Sequence, residues 1–118
     1  MVLVYVLELE HGKYYIGKTR HLDKRMNTHF NYRGSEWTSK YKPIKILEII
    51  PNCNILIEHE MTILYMIKYG IENVRGASYV RLKLGDDEIL GINKIIWSAT
   101  DKCYYCGGDG IIFLIEYK

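Results

Sequence analysis

Residues 2 to 7 are apolar or aromatic at even and odd positions alike, with Val2, Val4 and Val6 alternating against Leu3, Tyr5 and Leu7. A strand sends successive side chains to opposite faces, so a strand of this composition is buried on both. Any fold open to this chain must therefore cover that strand from two sides. His11-Gly12 then marks a turn, and residues 13–18 read as a second strand rich in Tyr and Ile, which makes a hairpin. Thr19 caps a helix over residues 20–30, with Leu22, Met26 and Phe30 as its buried stripe.

Residues 31–43 form a polar, basic loop holding Gly34 and Trp37, and residues 44–50 form a third strand ended by Pro51-Asn52. The pattern over residues 54–69 is helical, with Ile57, Met61, Leu64, Tyr65 and Lys68 on one face and Gly70 as the C-cap. Residues 71–76 read as a loop, residues 78–84 as a short strand, and Gly85-Asp86-Asp87 opens a last helix to about Ser98. The fold class expected is α+β: a small, mostly antiparallel three-stranded sheet with a β-β-α-β-α core, flanked by helices. Residues 1–84 make the main domain. Residues 85–118 add a helix and a short cysteine-containing tail, expected to pack on that same domain.

Several classes are excluded by composition. The chain has 118 residues, a length for one domain, and its 48% hydrophobic and 25% charged content rules out a disordered tail, a collagen-like fibre or a coiled coil. No apolar run reaches the roughly 18 residues of a membrane span. The start, MVLVYVLELEHG, lacks the basic residues of a secretory signal. Three cysteines, an odd number, argue against a disulfide framework and for an intracellular, reducing setting, cytoplasmic or nuclear, or inside a host cell if the source is viral. Net charge is only +2, but residues 13–45 carry nine Lys or Arg against Asp23 and Glu36. One basic half suits a polyanion such as nucleic acid, and suits a solvated lysine-rich surface equally.

Arg25 and His29 lie four residues apart on the helix of residues 20–30, at the edge of its apolar stripe. Polar groups half-sunk beside a core need partners. A buried acid would satisfy them, and so would a phosphate, which arginine grips through its planar fork.

Leu3-Val4-Tyr5, then Tyr15-Ile16-Gly17 ten residues on, then Arg25 and His29 on the next helix, resemble the GIY-YIG nuclease family. Residues 46–51 followed by Leu56-Ile57-Glu58-His59-Glu60 are similar to the third strand and metal-binding helix of that domain as found in phage intron-homing endonucleases. Asn73 stands where the family keeps an Asn after this helix, and the resemblance spans residues 2–84.

The resemblance implies cleavage of DNA phosphodiester bonds with one divalent cation, Mg²⁺ or Mn²⁺. By position, Glu60 would hold the metal, with Glu58 as the alternative. Two residues on a helix stand about 200° apart, so only one of them can face the site. Tyr15 would be the general base or a water-orienting phenol, and Tyr5 its partner. Arg25 would stabilise the charge of the pentacoordinate phosphate, while His29 would assist proton transfer or hold Tyr5. Lys18 would lower a phenol pKa or bind phosphate, and Gly17, Asn73, Trp37 and Lys40 complete the expected substrate-binding set. Trp37 and Thr38 either touch DNA or anchor the basic loop.

The chemistry agrees with these residue types. A single carboxylate suffices for Mg²⁺, which keeps several waters. A free tyrosine titrates near pH 10, so a phenolate base at neutral pH needs a nearby cation.

The sequence departs from the family at Leu3-Val4-Tyr5, which lacks the glycine and keeps the tyrosine. Cys103-Tyr104-Tyr105-Cys106-Gly107-Gly108 has zinc-knuckle spacing, and with residues 69–76 it is similar to GIY-YIG proteins of large DNA viruses. No later Cys or His completes four ligands, so zinc is not the expected cofactor, though Cys103 and Cys106 stay as candidate ligands; bridging in a dimer would supply the rest. A protein partner or self-association is also open. The competing reading is a nucleic-acid-binding accessory module of the same fold that cuts weakly or not at all, and a third is an RNA-directed nuclease.

Overall fold

The computed structural model describes residues 2–31 and 34–100. The chain divides into two compact units, one ending at Lys83 and one beginning at Leu84. In the first, strands β1 (Leu3–Leu9), β2 (Lys13–Thr19), β3 (Pro43–Ile50) and β4 (Val74–Gly76) form one sheet in the order β3-β1-β2-β4. Helices α1 (Leu22–Phe30) and α2 (Glu36–Lys40) lie between β2 and β3 in the chain, and α3 (Ile57–Tyr69) follows β3.

The α+β class holds, and the sheet has four strands rather than three. β1 is central and antiparallel to both β2 and β3, while β4 adds parallel to β2 through Tyr14↔Val74, Tyr15↔Arg75 and Ile16↔Gly76. Three residues are too few to show a strand period, which is why residues 71–76 read as a loop. The strand expected over residues 78–84 is absent apart from one Gly76↔Tyr79 bridge. That segment instead wraps the buried Arg75, which donates to the carbonyls of Ile71, Val74, Arg81 and Leu82 at 2.7–2.9 Å and lies 4.3 Å over the Trp37 ring. Charged hydrogen bonds of this kind contribute more than neutral ones, and Arg75→Met would leave four carbonyls short of a donor. Urea denaturation of that variant is expected to show a loss on the order of 2–4 kcal/mol.

β1 is buried on both faces, as its composition demands. Tyr5, Leu7 and Leu9 join Tyr15, Met26 and Trp37 in a core cluster on one side. Val4, Val6 and Ile16 are fully buried on the other, where α3 packs on β2 and β4 and Tyr14 stacks on Tyr69.

The helices present different faces from those expected. On α1 the buried residues are Met26 and His29, with Phe30 exposed. Seven residues return a helix to within about 20° of the start and eight overshoot to about 80°, so His29, not Phe30, completes the stripe from Leu22. On α3 the buried face is Thr62, Ile63 and Met66, and Leu64 points to solvent. Within residues 31–43, Ser35 caps α2 by accepting from the Thr38 amide at 3.2 Å. The second unit carries α4 (Asp86–Ala99), opened by the Gly85 amide donating to Glu88 Oε1 at 3.1 Å. Cys103 and Cys106 lie outside the described residues.

Candidate active site

The β1–β2 register sets Tyr5 opposite Gly17 and Leu7 opposite Tyr15, so both tyrosines stand on the face covered by α1. A Cβ at Gly17 would lie 2.3 Å from Tyr5 Oη and 2.4 Å from its Cζ. Only glycine lets the Tyr5 ring lie across its strand partner. From α1, one helical turn apart, Arg25 and His29 reach the same phenol: Arg25 Nε donates to Tyr5 Oη at 3.2 Å, and His29 Nε2 lies 2.8 Å from it. The Tyr5, Tyr15 and His29 rings sit together, with His29 5.7 Å and 5.2 Å from the two tyrosine centroids.

His29 Nδ1 lies 2.9 Å from Thr38 Oγ1, and Thr38 Oγ1 in turn donates to the Ser35 carbonyl at 3.3 Å. Arginine has no acceptor, so Tyr5 accepts from Arg25 and gives its own proton to His29 Nε2. That assigns the Nδ1–H tautomer to His29, which donates to Thr38. The result is one directed chain: Arg25 to Tyr5 to His29 to Thr38 to Ser35. A Cβ at Gly34 would fall 2.2 Å from His29 Nδ1 and 2.5 Å from Thr38 Oγ1, so the chain's far end also depends on a glycine.

The electrostatics follow from burial. Desolvation pushes the Tyr5 phenol up, and the neighbouring Tyr15 adds to this against the opposing pull of Arg25. Tyr15 is raised by burial too, with Arg25 and Ser35 drawing it down only in part. Burial lowers the Arg25 pKa, but its hydrogen bonds and attraction to the two tyrosines outweigh this and leave it raised. His29 is pushed down to about 4 by burial and by the Arg25 charge, so it is neutral at pH 7.

The sign of the pH effect follows. Because the folded pKa lies below the ordinary 6.5, the native state binds fewer protons there than the unfolded chain. His29 therefore contributes stability that is whole above pH 6.5 and is lost as pH falls towards 4. Up to about 3 kcal/mol is at stake. Urea denaturation at pH 7, 5.5 and 4 is expected to show that loss in wild type and a smaller one in His29→Asn.

The two carboxylates of α3 separate clearly. Glu58 shares the side of the helix that carries Thr62 and Met66. It is half-buried, its carboxylate stands 3.9 Å from Lys18 Nζ, and its charge is felt by both Tyr5 and Tyr15. Burial raises the Glu58 pKa, with Lys18 and His59 opposing. Glu60 lies on the exposed face with Leu64 and Lys68. Geometry thus favours the alternative carboxylate over the one preferred from sequence.

Gly17, Arg25, His29 and the two tyrosines meet on the α1 face of the sheet, and Lys18, opposite Val4, stands on the other face beside Glu58; besides Glu60, three other expected residues do not join them. Trp37 is 2% exposed, so it is no surface for DNA: its indole N–H donates to the Tyr14 carbonyl at 2.9 Å and it anchors α2. Asn73 ties the end of α3 to β2, donating to the Tyr69 carbonyl at 2.7 Å and accepting from Lys13 Nζ at 2.6 Å. Lys40 is exposed at the end of α2, beside the Tyr41 ring. Gly34 and Ser35 read in sequence as plain loop residues. The signal that could have found α2 is Ser35 three residues before Thr38, an N-cap pattern.

Among the described residues no group of three or more His, Cys, Asp or Glu forms a metal cage. Mg²⁺ and Mn²⁺ do not require one, because a carboxylate, waters and substrate phosphate fill their coordination shells. A half-buried carboxylate whose charged form is short of solvent, as Glu58 is, fits that use.

The family model for the GIY-YIG catalytic domain matches residues 1–68. A UPF0213 protein of Bacillus cereus is 42% identical over 40 residues, 34% of this chain and 42% of the relative. One from Bacillus thuringiensis subsp. konkukian matches to the same extent, and a second Bacillus cereus protein, from strain ATCC 10987, is 38% identical over 42 residues, 36% of this chain and 44% of its own length. The chain thus spans less than half the length of these bacterial relatives. No solved structure matches. With more than half of its residues inside the family model, this chain belongs to the GIY-YIG family of nuclease domains.

Proposed function

We propose that this protein is a divalent-metal-dependent endonuclease that hydrolyses phosphodiester bonds of DNA, with Glu58 as its metal ligand. The observation that carries the reading is the directed chain Arg25–Tyr5–His29–Thr38, standing where the Glu58 charge reaches both tyrosines. A structural core has no need of a guanidinium bonded to a buried phenol with a half-buried, Lys18-paired carboxylate close enough for its charge to be felt there.

Glu58 would hold the Mg²⁺ or Mn²⁺, which when bound would supply Lewis-acid polarisation of the phosphate and charge stabilisation for the leaving oxygen. The chain's own residues supply the rest. Both phenols are raised by burial, so neither rests as phenolate at pH 7. Tyr5, fully buried with its Oη held by His29 Nε2, fixes the Arg25 guanidinium in place, and the attacking water loses its proton to solvent. Tyr15, at the edge of the same ring cluster, orients that water. Arg25 neutralises charge on the phosphate as the fifth oxygen bonds, and Lys18 adds a second cation. The leaving oxygen takes its proton from solvent.

The test is nicking of supercoiled plasmid with Mg²⁺ or Mn²⁺, with EDTA as the metal-removal control. Nicking that EDTA abolishes, and that Arg25→Ala lowers on the order of 10²-fold with little change in DNA affinity, is the expected result. Salt-sensitive binding without nicking under either metal would favour the accessory-module reading instead.

A further inference from the structure

At the end of the sheet beside the Lys18–Glu58 pair lies a cavity of about 430 Å³, of whose lining the chemistry above uses only Lys18. Val2, Cys53 and Ile55 give it apolar walls, Asn54 one amide, and Lys18 and Arg20 its charge. Among the described residues no acid lines it, and its two charged residues are both cationic.

The volume falls within the roughly 300–1,000 Å³ of small-ligand pockets. It is too large for a lone phosphate and too small for a piece of duplex. A phosphate alone would also leave the apolar walls against water. The Asn54 Oδ1 already accepts from the Leu56 amide at 2.9 Å, so its NH₂ group is the part left to donate into the space. A neutral, flat group with an acceptor edge, attached to phosphate, answers all of these features. That is a nucleoside within a strand.

Resting on the endonuclease reading, we propose that this cavity receives one unstacked nucleoside of the substrate strand beside the phosphate to be cut. Lys18 is the link, since it both walls the cavity and pairs with Glu58 at 3.9 Å. A base inside a duplex is stacked and paired and must leave the helix to enter, at a cost that is least where it is already unpaired. The substrate class is therefore DNA with an unpaired nucleotide at the cut, such as a bulge or a flap, in preference to perfect duplex.

The test uses equilibrium binding of the full chain carrying Glu58→Gln, in EDTA, so that no cleavage is needed. Fluorescence anisotropy compares a perfect duplex with the same duplex bearing a single 2-aminopurine bulge. The bulged duplex is expected to bind about tenfold more tightly, equivalent to about 1.4 kcal/mol. Cys53→Phe, which fills the cavity, is expected to bring the two affinities within about twofold without weakening duplex binding. If circular dichroism shows that this variant fails to fold, Ile55→Asp at the 80% exposed mouth carries the same comparison.

Equal affinities of the Glu58→Gln chain for the two duplexes, or a preference that survives when the folded cavity variant is added to it, would overturn the proposal. So would displacement of the bulged duplex by free AMP at an equal concentration, since that would make the cavity a mononucleotide site. Absence of binding to either DNA would overturn it too, and plasmid nicking by wild type shows separately whether the endonuclease reading falls with it.

Discussion

Glu58→Gln is expected to lower metal-dependent plasmid nicking on the order of 10²–10³-fold, while Glu60→Gln stays within about twofold of wild type. The two residues are neighbours in sequence and remote in environment. Glu58 sits four residues before the buried Thr62, whose hydroxyl donates to the Glu58 carbonyl at 2.7 Å, so its side chain is carried towards the sheet. There it meets Lys18 and the field of the two buried tyrosines. Glu60 stands about 200° away, among side chains facing water. An exposed carboxylate has no fixed relation to a phosphate and no desolvation for a cation to relieve. DNA affinity of Glu58→Gln, measured in EDTA, is expected to hold or rise slightly, because a negative charge near phosphate is gone. Loss of nicking in Glu60→Gln with full activity in Glu58→Gln would reverse the assignment.

The second large effect is expected from a single methyl group. Gly17→Ala places a Cβ 2.3 Å from Tyr5 Oη, well inside any real contact. The clash is not with the loose end of a flexible chain. Tyr5 is fully buried, its ring is rigid, and its oxygen is held by both Arg25 and His29. Either the β1–β2 pair opens or the ring leaves, and in both cases the hydrogen-bonded chain breaks. Overpacking of this sort costs about 3 kcal/mol, a fall in Tm of roughly 10 °C for a domain of this size. Nicking is expected to drop on the order of 10²-fold even at temperatures where the variant stays folded. Gly91→Ala is the matched control: its Cβ meets nothing within 4 Å on an exposed turn of α4. Helix propensity there favours alanine by up to about 1 kcal/mol. Equal melting temperatures for the two variants would show that the Tyr5 position is not fixed as described.

Much of this site is legible without coordinates, because its residues are held by local geometry. Tyr5 and Tyr15 lie on strands joined by a short turn, and hairpin pairing places them near each other whatever else the chain does. Arg25 and His29 share a helical face by spacing alone. Less legible are the groups whose role depends on what packs against them. In sequence His29 reads as marginal to a stripe ending at Phe30, and Trp37 as a loop residue that either touches DNA or anchors the loop. Both are buried, because α1 turns seven residues to His29 and α2 is pinned by the Trp37 indole on the Tyr14 carbonyl.

The amino-acid sequence by itself determined that β1 is buried on both faces, that a hairpin precedes an amphipathic helix, and that the class is α+β. These follow from periods of two and near 3.6 residues, which are properties of neighbours along the chain. Only the tertiary structure decided that Val74–Gly76 is a strand, that Arg75 organises the segment after it, and that Glu58 rather than Glu60 turns towards the sheet and Lys18. Each of those depends on contacts between residues far apart in sequence. A helix period says which side chains share a face, but the sheet it packs on selects which face is buried.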